Sequence, residues 1–556
     1  MGYAIVRYYI LIALYTTARC ELTVQTSHGE IRGISQTAAT GKKVNAWYGI
    51  PYAEKPIGDL RFRPSIPPQP WQGTLNASKI PPACMQTRAS FLSQHEFFPG
   101  KKRWMPRNPL SEDCLYLTVV APDPVPLNAA VMVWIHGGGF YSGSNTLSLY
   151  DHKTLASEEN VIVASMQYRL GVFGFLSLER ELNGNAGLFD QALALQWIKN
   201  NIAAFGGNPN SITVFGESAG AASVSHHLLS PVSSNLFSRA IMQSGVATAA
   251  WATDTGLNMA NSLNVAKRVG CPKELPLMVK CLQRTDADLL LTAQETIPRL
   301  GLVSIPFCPV VDGKFIVRDP LETLKNGLYD PKNVIIGVNE NEGSYFLLYY
   351  AQRFNYENVT VARARFLEEI PKIVATRSPL EIEAIVYEYT DWSDPNGASK
   401  NLVALEKILG DSSFTCSSYE FAKTYSERSN LFFYHYKHRS PLNQWPSWGG
   451  ALHGDEIAFI FGEPLDPRKK YAREQIELSR RMMRYWANFA RTGDPNCVTN
   501  HQCQNAWPLF EPDNLRYINL DVNRFSVSKE PVRARQCMFW QKFLPKVQQL
   551  SGMSLI

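Results

Sequence analysis

Apolar residues in this chain gather into short runs, each closed by a glycine-rich or polar turn. Val131-Met132-Val133-Trp134-Ile135 is unbroken and passes through His136 into Gly137-Gly138-Gly139-Phe140. Ser211-Ile212-Thr213-Val214-Phe215 runs into Gly216-Glu217-Ser218-Ala219-Gly220, and a small-residue stretch of helical character begins near Ala221. Val334-Ile335-Ile336-Gly337-Val338 ends in Asn339-Glu340-Asn341-Glu342-Gly343, and Phe432-Phe433-Tyr434-His435-Tyr436 is an aromatic-rich alternating segment. Runs of this length bounded by turns read as strands, and near-continuous apolar character suits strands covered on both faces. The predicted fold class is α/β, with a large, mostly parallel central sheet and helices on both faces.

The first segment does not belong to that pattern. Arg7, the short apolar run Tyr8–Leu14 and the small residues Thr16-Thr17-Ala18 predict a signal peptide over 1–18. The run is shorter than the ~20 residues a membrane span needs, and no other stretch reaches that length. Length alone would suggest three or four domains in 556 residues. Residues 19–556 contain no Pro/Ser/Gly linker, repeat or low-complexity tract, so one catalytic domain is predicted there.

Charge narrows the partners. Lys and Arg number 55 against 49 Asp and Glu, a net +6, but the basic residues are dispersed. A nucleic-acid surface is therefore not expected. Ten cysteines in an exported chain imply disulfides. Asn76-Ala77-Ser78 and Asn358-Val359-Thr360 are N-glycosylation acceptors. There is no metal-type Cys/His cluster and no phosphate-binding loop, so neither metal nor cofactor is expected.

Gly216-Glu217-Ser218-Ala219-Gly220 is a G-x-S-x-G nucleophile elbow in the required context of strand, sharp turn and helix. A serine hydroxyl is a weak nucleophile at neutral pH and needs a base, a group to orient that base, and donors for the oxyanion. His136-Gly137-Gly138-Gly139 is the H-G-G-G motif, which assigns the backbone N–H groups of Gly138 and Gly139 as donors, with Ala219 as the third. The order serine, acid, histidine excludes His28, His95, His136 and His152 as the base. His226 and His227 follow the elbow too closely, His435 and His438 flank the aromatic strand, and His501 lies in a polar loop between Cys497 and Cys503. His453, within Gly449-Gly450-Ala451-Leu452-His453-Gly454, remains. Glu340 and Glu342 both lie just past a strand end, where open α/β sheets build their sites, and spacing leaves both open as the acid.

Together these motifs resemble the cholinesterase and carboxylesterase family of α/β-hydrolases, from about Leu22 to Lys546. The family's acid stands in an N-x-x-E-G run, and the match to Asn339–Gly343 selects Glu342. Trp104, ten residues before Cys114, matches the tryptophan that stacks on the choline ammonium in cholinesterases. An aromatic face suits a quaternary ammonium, which cannot donate hydrogen bonds. Glu217 would supply negative charge beside it. Tyr345, Phe346, Trp134, Tyr141, Trp251 and Trp448 match aromatics that line a narrow gorge, and Glu456 matches a buried glutamate near the triad. The resemblance also implies the bridges Cys84–Cys114, Cys271–Cys281 and Cys416–Cys537. Cys497 and Cys503 are expected to form a local fourth bridge, Cys308 a buried free thiol, and Cys20 lies at the signal cleavage site.

Two regions depart from the family. Where strictly acetyl-selective cholinesterases carry two phenylalanines, this chain has Val303 and Ile305, which implies a roomier acyl pocket. At the gorge mouth Thr87, Ala89 and Gln294 stand where cholinesterases often have a tyrosine, an aspartate and a tryptophan. Only Tyr141 is retained, which implies weak binding of cations at the rim. The implied activity is hydrolysis of a small-molecule choline ester by Ser218, Glu342 and His453 through an acyl-enzyme. The alternatives are a general carboxylesterase for neutral esters and an inactive adhesion ectodomain on the same fold. The segment after Trp540 resembles neither a tetramerising tail nor a lipid-anchor signal, so a secreted monomer or a non-covalent homodimer without membrane anchor is expected.

Overall fold

A computed structural model of the chain describes residues 22–87, 103–350, 354, 357–499, 502–503, 506–522 and 526–550. The predicted leader, Cys20, Ala89, His95 and His501 lie outside the described residues.

The apolar runs become the middle of an eleven-stranded sheet. In chain order its strands are β1 (Ile34–Thr37), β2 (Lys43–Pro51), β3 (Tyr116–Pro122), β4 (Ala129–Ile135), β5 (Ile162–Met166), β6 (Gly207–Glu217), β7 (Arg239–Gln243), β8 (Val334–Asn339), β9 (Leu431–Tyr436), β10 (Tyr517–Leu520) and β11 (Ser526–Ser528). Across the sheet they lie in the order β11-β10-β9-β8-β7-β6-β4-β5-β3-β2-β1. The seven from β10 to β5 are parallel, and antiparallel strands extend both edges. Every residue of β4, β5, β8 and β9 is buried.

The two-residue period of a strand divides each run between two cores. Val131, Val133 and Ile135 join one, Met132 and Trp134 the other. Ile336 and Val338 face the first and Ile335 the second; Leu431 and Phe433 face the first, Phe432 and Tyr434 the second. The helices α1 (Ala186–Asn201), α2 (Ala219–Leu229), α3 (Glu342–Tyr350) and α4 (Ala398–Gly410) bury apolar faces in the first core. The long α5 (Arg473–Thr492) buries Leu478, Met482, Met483, Trp486 and Phe489 in the second.

Four disulfides join Cys84–Cys114, Cys271–Cys281, Cys416–Cys537 and Cys497–Cys503. Cys308 is a buried free thiol. Among the described residues, no helix is long and apolar enough to cross a membrane.

Candidate active site

Ser218 sits between the last residue of β6 and the first of α2, at φ +58° and ψ −125°. That conformation is costly for a non-glycine residue and persists only where the surroundings enforce it. Its N–H donates to the Gln243 carbonyl at 2.8 Å, and its own carbonyl accepts from Ala222 N at 2.9 Å. The turn needs its glycines because a Cβ on Gly216 would stand 2.6 Å from the Gly220 carbonyl carbon, well inside contact distance.

The loop after β4 lies directly against the elbow. A Cβ on Gly137 would stand 3.2 Å from Ser218 Cβ and 2.6 Å from the Glu217 carbonyl oxygen. Gly138 has φ +106° and accepts from Ser142 N at 3.0 Å and Ser142 Oγ at 2.9 Å. His136 braces this loop: Nδ1 lies 2.9 Å from the Gly137 carbonyl, and the ring stacks on Tyr168 at 4.5 Å. Burial lowers the His136 pKa to about 4, so the ring is neutral at physiological pH.

His453 is buried, and its Nδ1 stands 2.6 Å from Glu342 Oε2. The other carboxylate oxygen of Glu342 accepts from Asn339 N and Ser244 Oγ, both at 2.6 Å. Ser244 itself has φ +55°. The two loops are tied by Asn341, whose N–H donates to the Ala451 carbonyl at 3.0 Å and whose Oδ1 accepts from Ala451 N at 3.1 Å. Glu340 turns away from the site. Its carboxylate meets Lys407 Nζ at 3.2 Å and His435 Nε2 at 3.3 Å, which separates the two acids that spacing had left open.

On its far edge, His453 Nε2 stands 3.1 Å from Glu217 Oε1, close enough for an ion pair but without hydrogen-bond alignment. Burial drives the Glu217 pKa well above the usual carboxylate range, although the His453 charge opposes this. Burial alone would lower the His453 pKa, but the charges of Glu217 and Glu342 outweigh it and hold the imidazole above its ordinary value. Glu456, fully buried, accepts from Gln243 Nε2 at 3.0 Å and Asn339 Nδ2 at 2.6 Å.

Ser218, His453 and Glu217 open into one cleft with Trp104, Gly138, Gly139, Tyr141, Trp251, Val303, Ile305, Tyr345 and Phe346. The room available to the centre of a water molecule there is only about 80 Å³, so the cleft is narrow. Trp104 meets Tyr345 edge-on at 5.9 Å, and Tyr345 and Phe346 lie 5.8 and 5.3 Å from the His453 ring. Gly454 lets these groups close up: a Cβ there would stand 2.8 Å from Trp104 Cη2 and 3.4 Å from Glu217 Oε1.

Two sequence expectations fail here. Trp134 is not part of the cleft; it occupies the opposite face of the sheet, against Tyr150, Phe215 and Phe461. Trp448 lines a separate surface depression beside Asn358 and Glu406. Gln294, at one of the rim positions, is buried, and its amide oxygen accepts from Val172 N at 2.7 Å. Thr87 does reach the cleft and donates to Glu295 Oε1 at 2.8 Å. Sequence reasoning also missed Phe414, whose ring lies 4.5 Å from His453 and 5.5 Å from Trp251. It missed Ser244 too; no motif around either residue signals its place.

Comparison with known proteins agrees with this architecture. The carboxylesterase family model matches residues 21–540. The chain belongs to the carboxylesterase family. Its fold is accordingly an α/β-hydrolase, and it is a carboxylic ester hydrolase. Among curated relatives of this family member, the acetylcholinesterase of Bungarus fasciatus is 43% identical over 534 residues, covering 95% of this chain and 87% of the relative. The acetylcholinesterase of Danio rerio is 40% identical over 97% of this chain and 90% of its own. The cholinesterase of Mus musculus is 42% identical over 96% and 88%.

Proposed function

We propose that this esterase hydrolyses choline esters, with acetylcholine as the main substrate, and that it acts outside the cell. The observation that carries this reading is the grouping of Trp104 and Glu217 beside His453, in the same cleft as Ser218. An ammonium over the Trp104 ring gains ~2 kcal/mol or more once desolvated. Its charge also favours the ionised form of Glu217, so binding the cation offsets the cost of that buried carboxylate.

The acyl carbon of the bound ester then lies over Ser218. As Ser218 Oγ attacks, its proton passes to His453 Nε2, and Glu342 stabilises the imidazolium through Nδ1. The N–H groups of Gly138, Gly139 and Ala219 hold the oxyanion; removing one such donor costs about 3–4 kcal/mol. The carbon–oxygen bond breaks and choline leaves with the proton from His453. Water, deprotonated by the same imidazole, releases the acid and restores Ser218.

Val303 and Ile305 border the cleft with aliphatic side chains, which supports acceptance of acyl groups larger than acetyl. Four disulfides and the leader-like segment support export to an oxidising compartment.

The test is the ratio of kcat/KM for acetylthiocholine to that for its neutral carbon isostere. A strong preference for the cation is expected. Equal rates would assign the enzyme to neutral esters, as a general carboxylesterase.

A further inference from the structure

A second depression on the surface shares no lining residue with the cleft that holds Ser218. It offers about 370 Å³ to the centres of water-sized molecules and lies beside α4. Trp448, half-buried, lines it together with Leu402, Val403, Ser399 and Glu406. An aromatic ring and aliphatic groups beside the exposed hydroxyl residues Ser399 and Thr360 form a surface with two kinds of affinity. A pyranose ring matches both, since it shows a C–H face to the aromatic and hydroxyls to the polar rim.

Asn358 stands on the edge of the same depression, exposed, with the exposed Thr360 completing the acceptor sequence. The neighbouring Glu357 reaches across: its two carboxylate oxygens accept from Ser447 N at 3.0 and 3.1 Å. Ser447 opens the tight turn Ser447–Gly449 that carries Trp448, and the chain reaches His453 five residues after Trp448. The acceptor loop and the base loop therefore share one wall of the depression.

We propose that an N-linked glycan on Asn358 folds back onto Trp448 and fills this depression, bracing the segment that leads to His453. The inference rests on the reading that the chain is exported. Attachment joins Asn358 Nδ2 to C1 of the first N-acetylglucosamine of a lipid-linked oligosaccharide. The amide gives up one proton, the bond from C1 to the lipid pyrophosphate breaks, and the pyrophosphate leaves with the electron pair. Nothing is oxidised or reduced. Because the sugar is tethered at the edge, its effective concentration over Trp448 reaches the millimolar range, and weak stacking suffices to hold it.

The test uses the full chain secreted from eukaryotic cells. Glycopeptide mass spectrometry reads occupancy at Asn76 and Asn358, and hydrogen exchange reads the peptide spanning 441–453. Occupancy at Asn358 is expected, with exchange in that peptide at least about fivefold faster in Asn358→Gln than in the glycosylated protein. Enzymatic release of the Asn358 glycan from folded protein should be faster in Trp448→Ala. Val403→Glu, at an exposed position on the edge, should do the same if Trp448→Ala does not fold. A glycosylated Asn76 with bare Asn358 would overturn this inference and leave export intact. Absence of glycans at both, with the protein retained in the cell, would overturn both. An occupied Asn358 with unchanged exchange and unchanged release would show the glycan free in solvent and would also overturn it.

Discussion

Glu217 and His453 face each other at 3.1 Å, both buried, on the side of the imidazole opposite Glu342. The histidine thus stands between two carboxylates, and their charges raise its pKa against the lowering effect of burial. In the proposed mechanism His453 is the general base, which works in its neutral form, so activity should be lost as pH falls through that pKa. In Glu217→Gln the larger of these two charge effects disappears and the imidazole pKa drops. The acid limb of the kcat/KM profile for a neutral ester should move down by about a pH unit or more. An acid limb unmoved by the substitution would mean that Glu217 does not govern the base.

Ser244 donates to the oxygen of Glu342 that His453 leaves unused. In the proposed mechanism its role is positioning. Ser244→Ala leaves Asn339 N as the remaining donor to that oxygen and should cost about 1–3 kcal/mol. Rapid-kinetics assays should show kcat down roughly 10- to 100-fold with KM little changed. An equal rise in KM with unchanged kcat would contradict it.

Val303 and Ile305 set the acyl limit in this reading. Replacing both with phenylalanine should lower butyrylthiocholine turnover relative to acetylthiocholine by roughly 10- to 200-fold. The parent enzyme should hydrolyse the butyryl ester readily. A parent rate near zero would mean that other groups already fill the space.

At the mouth, Arg299 lies over the Tyr141 ring at 4.8 Å, so that aromatic face already carries a cation. Propidium should therefore bind weakly, and excess substrate should inhibit little. Strong competition between propidium and substrate would refute this picture of the rim.

Much of this was legible in the chain because it is local. The strand-turn-helix around Ser218 and the glycine run after Ile135 each fold within a few residues, and their geometry follows from where glycine is obligatory. The acid was not legible from spacing. Glu340 and Glu342 differ only in what waits for them, Lys407 and His435 for one and His453 for the other, and those partners come from distant segments. Trp134 shows the reverse case. It is flanked by Val133 and Ile135, and strand alternation alone places it on the face away from both. Matching by family position overrode that simpler signal. Phe414 and Ser244 reach the site only through packing between elements, and nothing in their neighbourhoods marks them.

The double contact between Asn341 and Ala451 binds segments 110 residues apart. The loops that carry Glu342 and His453 are held together there, and Ser218, between β6 and α2, joins them through Gln243 and Ser244. The Glu342–His453 contact is thereby clamped through the backbone of its two loops as well as through the side chains.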